Sequence, residues 1–200
     1  GRNTPIRVSV AEGLTFGQLT GADGTNFTCP DSAATSITGD IDIRIEFDQD
    51  SNPDGSGVDT FYALASKYND VGDQRSWAWW IDPTGILAFR WSTDGTSTNN
   101  KNATASTAIQ LRPGRRALRV TMDVDSGGGT STVTFYTAET IAGPWTVVGS
   151  PTVRGETTSI FNSTEPTTVG EVSHISGIAA LNARVYKFEM YNGIAGTVVA

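Results

Sequence analysis

The run Ser76-Trp77-Ala78-Trp79-Trp80-Ile81-Asp82-Pro83-Thr84-Gly85-Ile86-Leu87-Ala88-Phe89-Arg90-Trp91 decides the fold. Its middle, Asp82 to Gly85, is turn chemistry. Aspartate bonds its own backbone, proline presets φ, and glycine supplies the positive φ that a bulged hairpin loop needs. With Gly85 as the bulge of a three-residue loop, Ile81 opposes Leu87, Trp79 opposes Phe89 and Trp77 opposes Trp91. Those large apolar side chains then share one face. A slip of one residue would send half of them to the other side, so this register is the expected one. The opposite face carries Ala78, Trp80, Ala88 and Arg90.

The same period of two runs outward from the hairpin. Ile41, Ile43, Ile45 and Phe47 alternate with Asp42, Arg44, Glu46 and Asp48, which predicts a half-buried strand with a charged outer face. Further strands are expected at Thr60 to Ser66, Arg119 to Val124, Thr132 to Thr137, Trp145 to Val148, Thr167 to Val172 and Ala183 to Tyr191. Ser126-Gly127-Gly128-Gly129 supplies one of the turns, and no helical stripe of useful length appears. About twelve short strands separated by turns predict an all-β, two-sheet antiparallel β-sandwich, a jelly roll of the concanavalin-like kind. Thr93 to Ser106 is polar and of low complexity, and is expected to be a loop clear of the core. Residues 1–24 read as an N-terminal arm or first strand and residues 25–200 as the jelly-roll domain. A start at Gly1 and an apolar end at Val198-Val199-Ala200 suggest a part of a longer chain.

Composition narrows the function. The 200 residues include 22 glycines and only 18% charged side chains, as expected of many strands and tight turns. A formal net charge of −7 argues against a nucleic-acid partner, and the Arg112, Arg115 and Arg116 cluster reads as a solvated turn. Cys29 is the only cysteine, so an intrachain disulfide is excluded. No stretch has the length and apolarity of a membrane-spanning helix.

Chemically competent groups are few. His174 is the only histidine, which leaves a triad or a multi-histidine zinc site without partners. Calcium is a candidate ligand at Asp50, Asn52 and Asp54, which alternate as in the first half of a calcium loop, with Asp59 as a substitute for the missing glutamate. The plainer alternative is a solvated acidic loop, and no cofactor is required. Trp80 with Arg90 could form a carbohydrate-binding platform on an exposed sheet face. Against this, Trp80 and Ile86 could simply pack under a loop or a neighbouring subunit.

Several segments resemble a known family. They are Ile37-Thr38-Gly39-Asp40-Ile41-Asp42-Ile43-Arg44, the hairpin ending in Trp91-Ser92-Thr93-Asp94-Gly95-Thr96, Val133 to Thr137 followed by Trp145, and Ala183 to Thr197. Together they resemble laminin-G-like, concanavalin-like jelly rolls, in the form found in minor tail and other virion proteins of actinobacterial phages. The loop Glu139-Thr140-Ile141-Ala142-Gly143-Pro144 departs from the short Asp-Gly turn expected there. Some relatives of this fold are glucanases, whose carboxylates sit as Glu-x-Asp-x-x-Glu. Here Glu46-Phe47-Asp48-Gln49-Asp50 misses the last carboxylate. The resemblance therefore implies a non-enzymatic virion structural module, on a tail or particle-surface appendage. Its partners would be other virion proteins in a symmetric assembly and a host-surface glycan. The alternative is a carbohydrate-binding module of an adhesin or extracellular enzyme; a degenerate or active β-glucanase comes third.

Overall fold

The structure is a computed structural model that describes residues 15–22, 24–49, 61–110, 114–172, 175 and 177–200. Among these there is no helix. Two sheets face each other. The first runs β1 (Gly17–Thr20), β14 (Asn182–Asn192), β3 (Ile41–Gln49), β8 (Arg115–Gly127), β9 (Thr130–Ala138) and β10 (Thr146–Val147). To it are added β11 (Thr152–Arg154) on β9 and β15 (Thr197–Val198) on β14. The second runs β2 (Phe27–Cys29), β12 (Thr167–Val169), β4 (Phe61–Asn69), β5 (Gln74–Ile81), β6 (Leu87–Ser92) and β7 (Asn100–Thr104). All its pairings are antiparallel except that of β13 (Ile178–Ala179) with β4.

The expected hairpin is present in the expected register, with Trp77 opposite Trp91, Trp79 opposite Phe89 and Ile81 opposite Leu87. Asp82 holds the turn: its carboxylate accepts the N–H groups of Thr84 at 2.9 Å and Ile86 at 2.8 Å. Gly85 has a φ of +90°, and a Cβ there would lie 2.2 Å from the carbonyl oxygen of Ile109. Only glycine fits that close approach.

Packing follows from the alternation. The inward side chains of the hairpin meet Ile41, Ile43, Ile45 and Phe47 of β3 and Leu118, Val120 and Met122 of β8 in one core. Phe89 stacks between Trp77 and Trp91, with centroids 6.2 and 6.0 Å away. Each such burial stabilises by about 1.5–3 kcal/mol before the entropy of ordering is counted.

Two expectations need correcting. Thr93 to Ser106 is not wholly a loop: β7 pairs with β6, and Ala103 and Ala105 enter the core. Their small side chains lie at alternate positions opposite bulky partners, with Ala103 facing Phe89. The charged outer face of β3 is also less open than a half-buried strand predicts, with only Arg44 and Asp48 partly exposed. Asp42 is 0% and Glu46 3% exposed, because neighbouring strands and a loop cover them.

Candidate functional site

Pairing registers place four side chains of the first sheet in a row. Glu189 of β14 lies opposite Arg44 of β3, Arg44 opposite Arg119 of β8, and Arg119 opposite Tyr136 of β9. One register step away, Tyr191 lies opposite Asp42. All point away from the core, since their neighbours Ile43, Ile45, Leu118, Val120 and Phe135 point into it. Three strand spacings make this row about 14 Å long.

Asp42 organises it. Its Oδ1 accepts Nε of Arg44 at 3.1 Å and of Arg119 at 2.9 Å; its Oδ2 accepts their Nη2 groups at 2.7 and 2.9 Å. Ala195 adds its backbone N–H at 3.1 Å. Burial alone would raise the Asp42 pKa, but the hydrogen bonds from Arg44 and Arg119 outweigh it and hold the carboxyl below its usual value. A side chain so satisfied can be buried and still charged.

Aromatic rings enclose the two guanidiniums. The Arg44 carbon Cζ lies 4.2 Å from the Tyr191 ring centroid, and that of Arg119 lies 4.7 Å from Tyr136. Both are 5.9 Å from the Trp145 ring, which spans the pair. Arg44 Nη1 donates to Tyr191 Oη at 3.2 Å, and Tyr191 donates to Glu189 at 2.6 Å. Lys187 also pairs with Glu189 at 2.5 Å. Burial first, then the bond to Glu189, raises the Tyr191 pKa and keeps its phenol protonated. Among the described residues, Trp145 Nε1 and Tyr136 Oη make no hydrogen bond of their own.

The loop between β9 and β10 delivers Trp145. Ile141 is buried, and its N–H donates to Glu46 Oε2 at 2.8 Å, which pins the loop onto the sheet. Gly143 closes a turn by donating to Thr140 O at 2.9 Å; it has a φ of +88°, and a Cβ there would crowd Trp145 Cδ1 at 3.1 Å. The chain then passes through the cis Gly143–Pro144 peptide to Trp145 and returns to β9 as β10.

No family model and no curated protein matches the sequence. Solved structures match it by shape. The CBM40 domain of the Ruminococcus gnavus IT-sialidase, bound to α2,3-sialyllactose, superposes with a TM-score of 0.61 at 8% identity, over 90% of this chain and 91% of that one. The fold is similar to that of a carbohydrate-binding domain. The botulinum neurotoxin serotype G binding domain gives 0.56 at 11% identity, over 92% of this chain and 44% of that one. A leech intramolecular trans-sialidase gives 0.53 at 11% identity, over 90% of this chain and 26% of that one. At such identities the likeness establishes the two-sheet jelly roll alone.

The residues singled out in the sequence have varied surroundings. Arg90 does lie over Trp80, at 5.2 Å from the ring, and its Nε donates to Asn102 at 2.8 Å. Trp80, however, is 7% exposed and packs with Ala63, Tyr68, Ala88 and Val172 in a second cluster, against which Ile175 and Ile178 lie. Trp80 is thus buried where an open platform was expected, with Val172 in its cluster. Asp50, Asn52, Asp54 and Asp59 lie outside the described residues, as do His174 and Arg112. Glu46 is sealed: Arg115 Nε donates to its Oε1 and the Ile141 N–H to its Oε2. Asp48 accepts the Gly114 N–H at 3.0 Å and lies 3.7 Å from Arg184. A glycosidase acid must reach the bond it protonates, and Glu46 faces protein on all sides.

Proposed function

We propose that this chain is a non-catalytic carbohydrate-binding module that takes a short glycan across the outer face of its first sheet. The observation that carries this reading is the row Glu189–Arg44–Arg119–Tyr136, roofed by Trp145 and flanked by Tyr191. Aromatic rings stack on the C–H faces of sugars, and fixed polar groups between them read the hydroxyls. Trp145 and Tyr136 retain an N–H and an O–H for that purpose. A rigid, wide sheet preorganises both kinds of contact, which limits the ordering cost of binding. The shared fold with a domain that holds sialyllactose supports this reading.

A glycan array probed with the native chain, Trp145→Ala and Trp80→Ala tests it. Native protein and Trp80→Ala are expected to bind the same glycans, and Trp145→Ala to lose them. Binding that survives Trp145→Ala and disappears with Trp80→Ala would move the site to the second sheet; binding to no glycan would end the reading. The resemblance to phage virion domains supports a place for the module on a particle surface, beside other virion proteins and facing a host glycan. Purified particles that lack the chain by mass spectrometry would remove that setting.

A further inference from the structure

We infer that the sugar taken by this face is an acidic one, whose carboxylate docks on the Arg44–Arg119 pair that Asp42 holds in place; this rests on the glycan-binding reading and narrows its ligand. Asp42 engages each guanidinium along the edge formed by Nε and Nη2. In a planar fork that leaves each Nη1 facing away from Asp42. Arg44 uses its Nη1 to donate to Tyr191, and Arg119 Nη1 makes no hydrogen bond among the described residues. These donors belong to side chains only 14% and 12% exposed, beneath three aromatic rings. Hydrogen bonds made there by a charged acceptor are weakly screened.

Charge points the same way. Two guanidiniums share one buried carboxylate, and Lys187 offsets Glu189 beside them, so the face keeps a net positive charge. The whole chain carries −7, so it repels anions at long range. An acidic ligand is therefore selected by this local arrangement and not by the overall field. Asp42 acts as a positioning residue: it cannot reach the ligand, being fully buried, but it fixes both guanidiniums side by side on adjacent strands. Nonulosonic and hexuronic acids share the required carboxylate, set beside a ring whose hydroxyls Trp145 and Tyr136 can meet.

Calorimetric titration of the full chain distinguishes these sources. The probes are sialyllactose, a glucuronate-terminated disaccharide, the carboxyl-reduced counterpart of each, and a sulfated lactose. At least one carboxylated probe is expected to bind, with its reduced counterpart at least about tenfold weaker, the loss of one hydrogen bond to a charged group. Trp145→Ala should weaken the acid and its reduced form alike. Arg119→Lys, which keeps a cation beside Asp42 and so protects folding, should narrow the gap between them. Asp42→Asn should narrow it too, although Asp42 touches no ligand. Equal binding of acid and reduced sugar, or preference for the sulfated probe, would overturn the acidic-sugar inference and leave glycan binding standing. Binding to neutral array glycans with none to either acid would do the same, whereas silence on both the array and the titration would overturn both readings.

Discussion

Replacing Asp42 by asparagine would leave Arg44 and Arg119, 14% and 12% exposed, to share one amide oxygen where four charge-assisted bonds now converge. Breaking one side of a buried ion pair costs about 3–5 kcal/mol, so Asp42→Asn should lower the unfolding free energy by that much, read as a lower urea midpoint with an unchanged slope. Acid acts on the same group. Asp42 and Glu189 both titrate below their usual values in the folded chain, because bonds from Arg44 and Arg119, and from Lys187 and Tyr191, outweigh burial. A depressed folded pKa gives stability that is complete above the unfolded value and is lost as pH falls through the folded one. Native protein should therefore lose stability below about pH 4, and Asp42→Asn should lose less over that range. Parallel pH curves would deny Asp42 this role. At Gly85 the constraint is backbone geometry: Gly85→Ala must hold a φ of +90° with its Cβ against the Ile109 carbonyl. A loss of roughly 1–3 kcal/mol is expected by denaturant titration.

At the scale of elements, the hairpin and the β9–β10 loop show what a sequence can and cannot say. The β5–β6 register was legible because Trp77, Trp79, Ile81, Leu87, Phe89 and Trp91 place so much apolar mass at alternate positions that one pairing alone buries it. Strand β7 was not legible, because Ala103 and Ala105 are too small to stand out among asparagine, threonine and lysine. The charged outer positions of β3 could be read, but their burial could not. Arg44, Arg119 and Glu189 meet only through registers that join β3, β8 and β14, which are remote in sequence. The single hint of the covering loop was that Glu139 to Pro144 is longer than a tight turn requires. Exchanging residues 140–143 for an Asp-Gly turn should keep the sheet signature in circular dichroism, since Ile141, though buried, is not part of the cluster between the sheets. It should abolish glycan binding, because Ile141 no longer anchors the approach of Trp145. Retained binding in that exchange would show that the roof over the arginines is dispensable.

Across the whole molecule, the core and the outer face of the first sheet divide the work. The core between the sheets fixes strand spacing, and the spacing fixes the row of guanidiniums and rings on the outside. On the outer face of the second sheet Trp80 is buried in a cluster with Val172, against which Ile175 and Ile178 pack, so the two faces differ in what they offer a ligand. The fold is similar to that of binding domains only 8% and 11% identical in sequence to this chain, so what it binds must be argued from its own outward residues. The most direct measurement is an amide and indole NMR titration of the labelled chain with the glycan that it binds best. The account predicts that the Trp145 indole N–H, the Arg119 side chain and the backbone around Tyr136 and Tyr191 shift together at one affinity, with the Trp80 indole unmoved. Shifts centred on Trp80 and Arg90, with Trp145 unmoved, would contradict it.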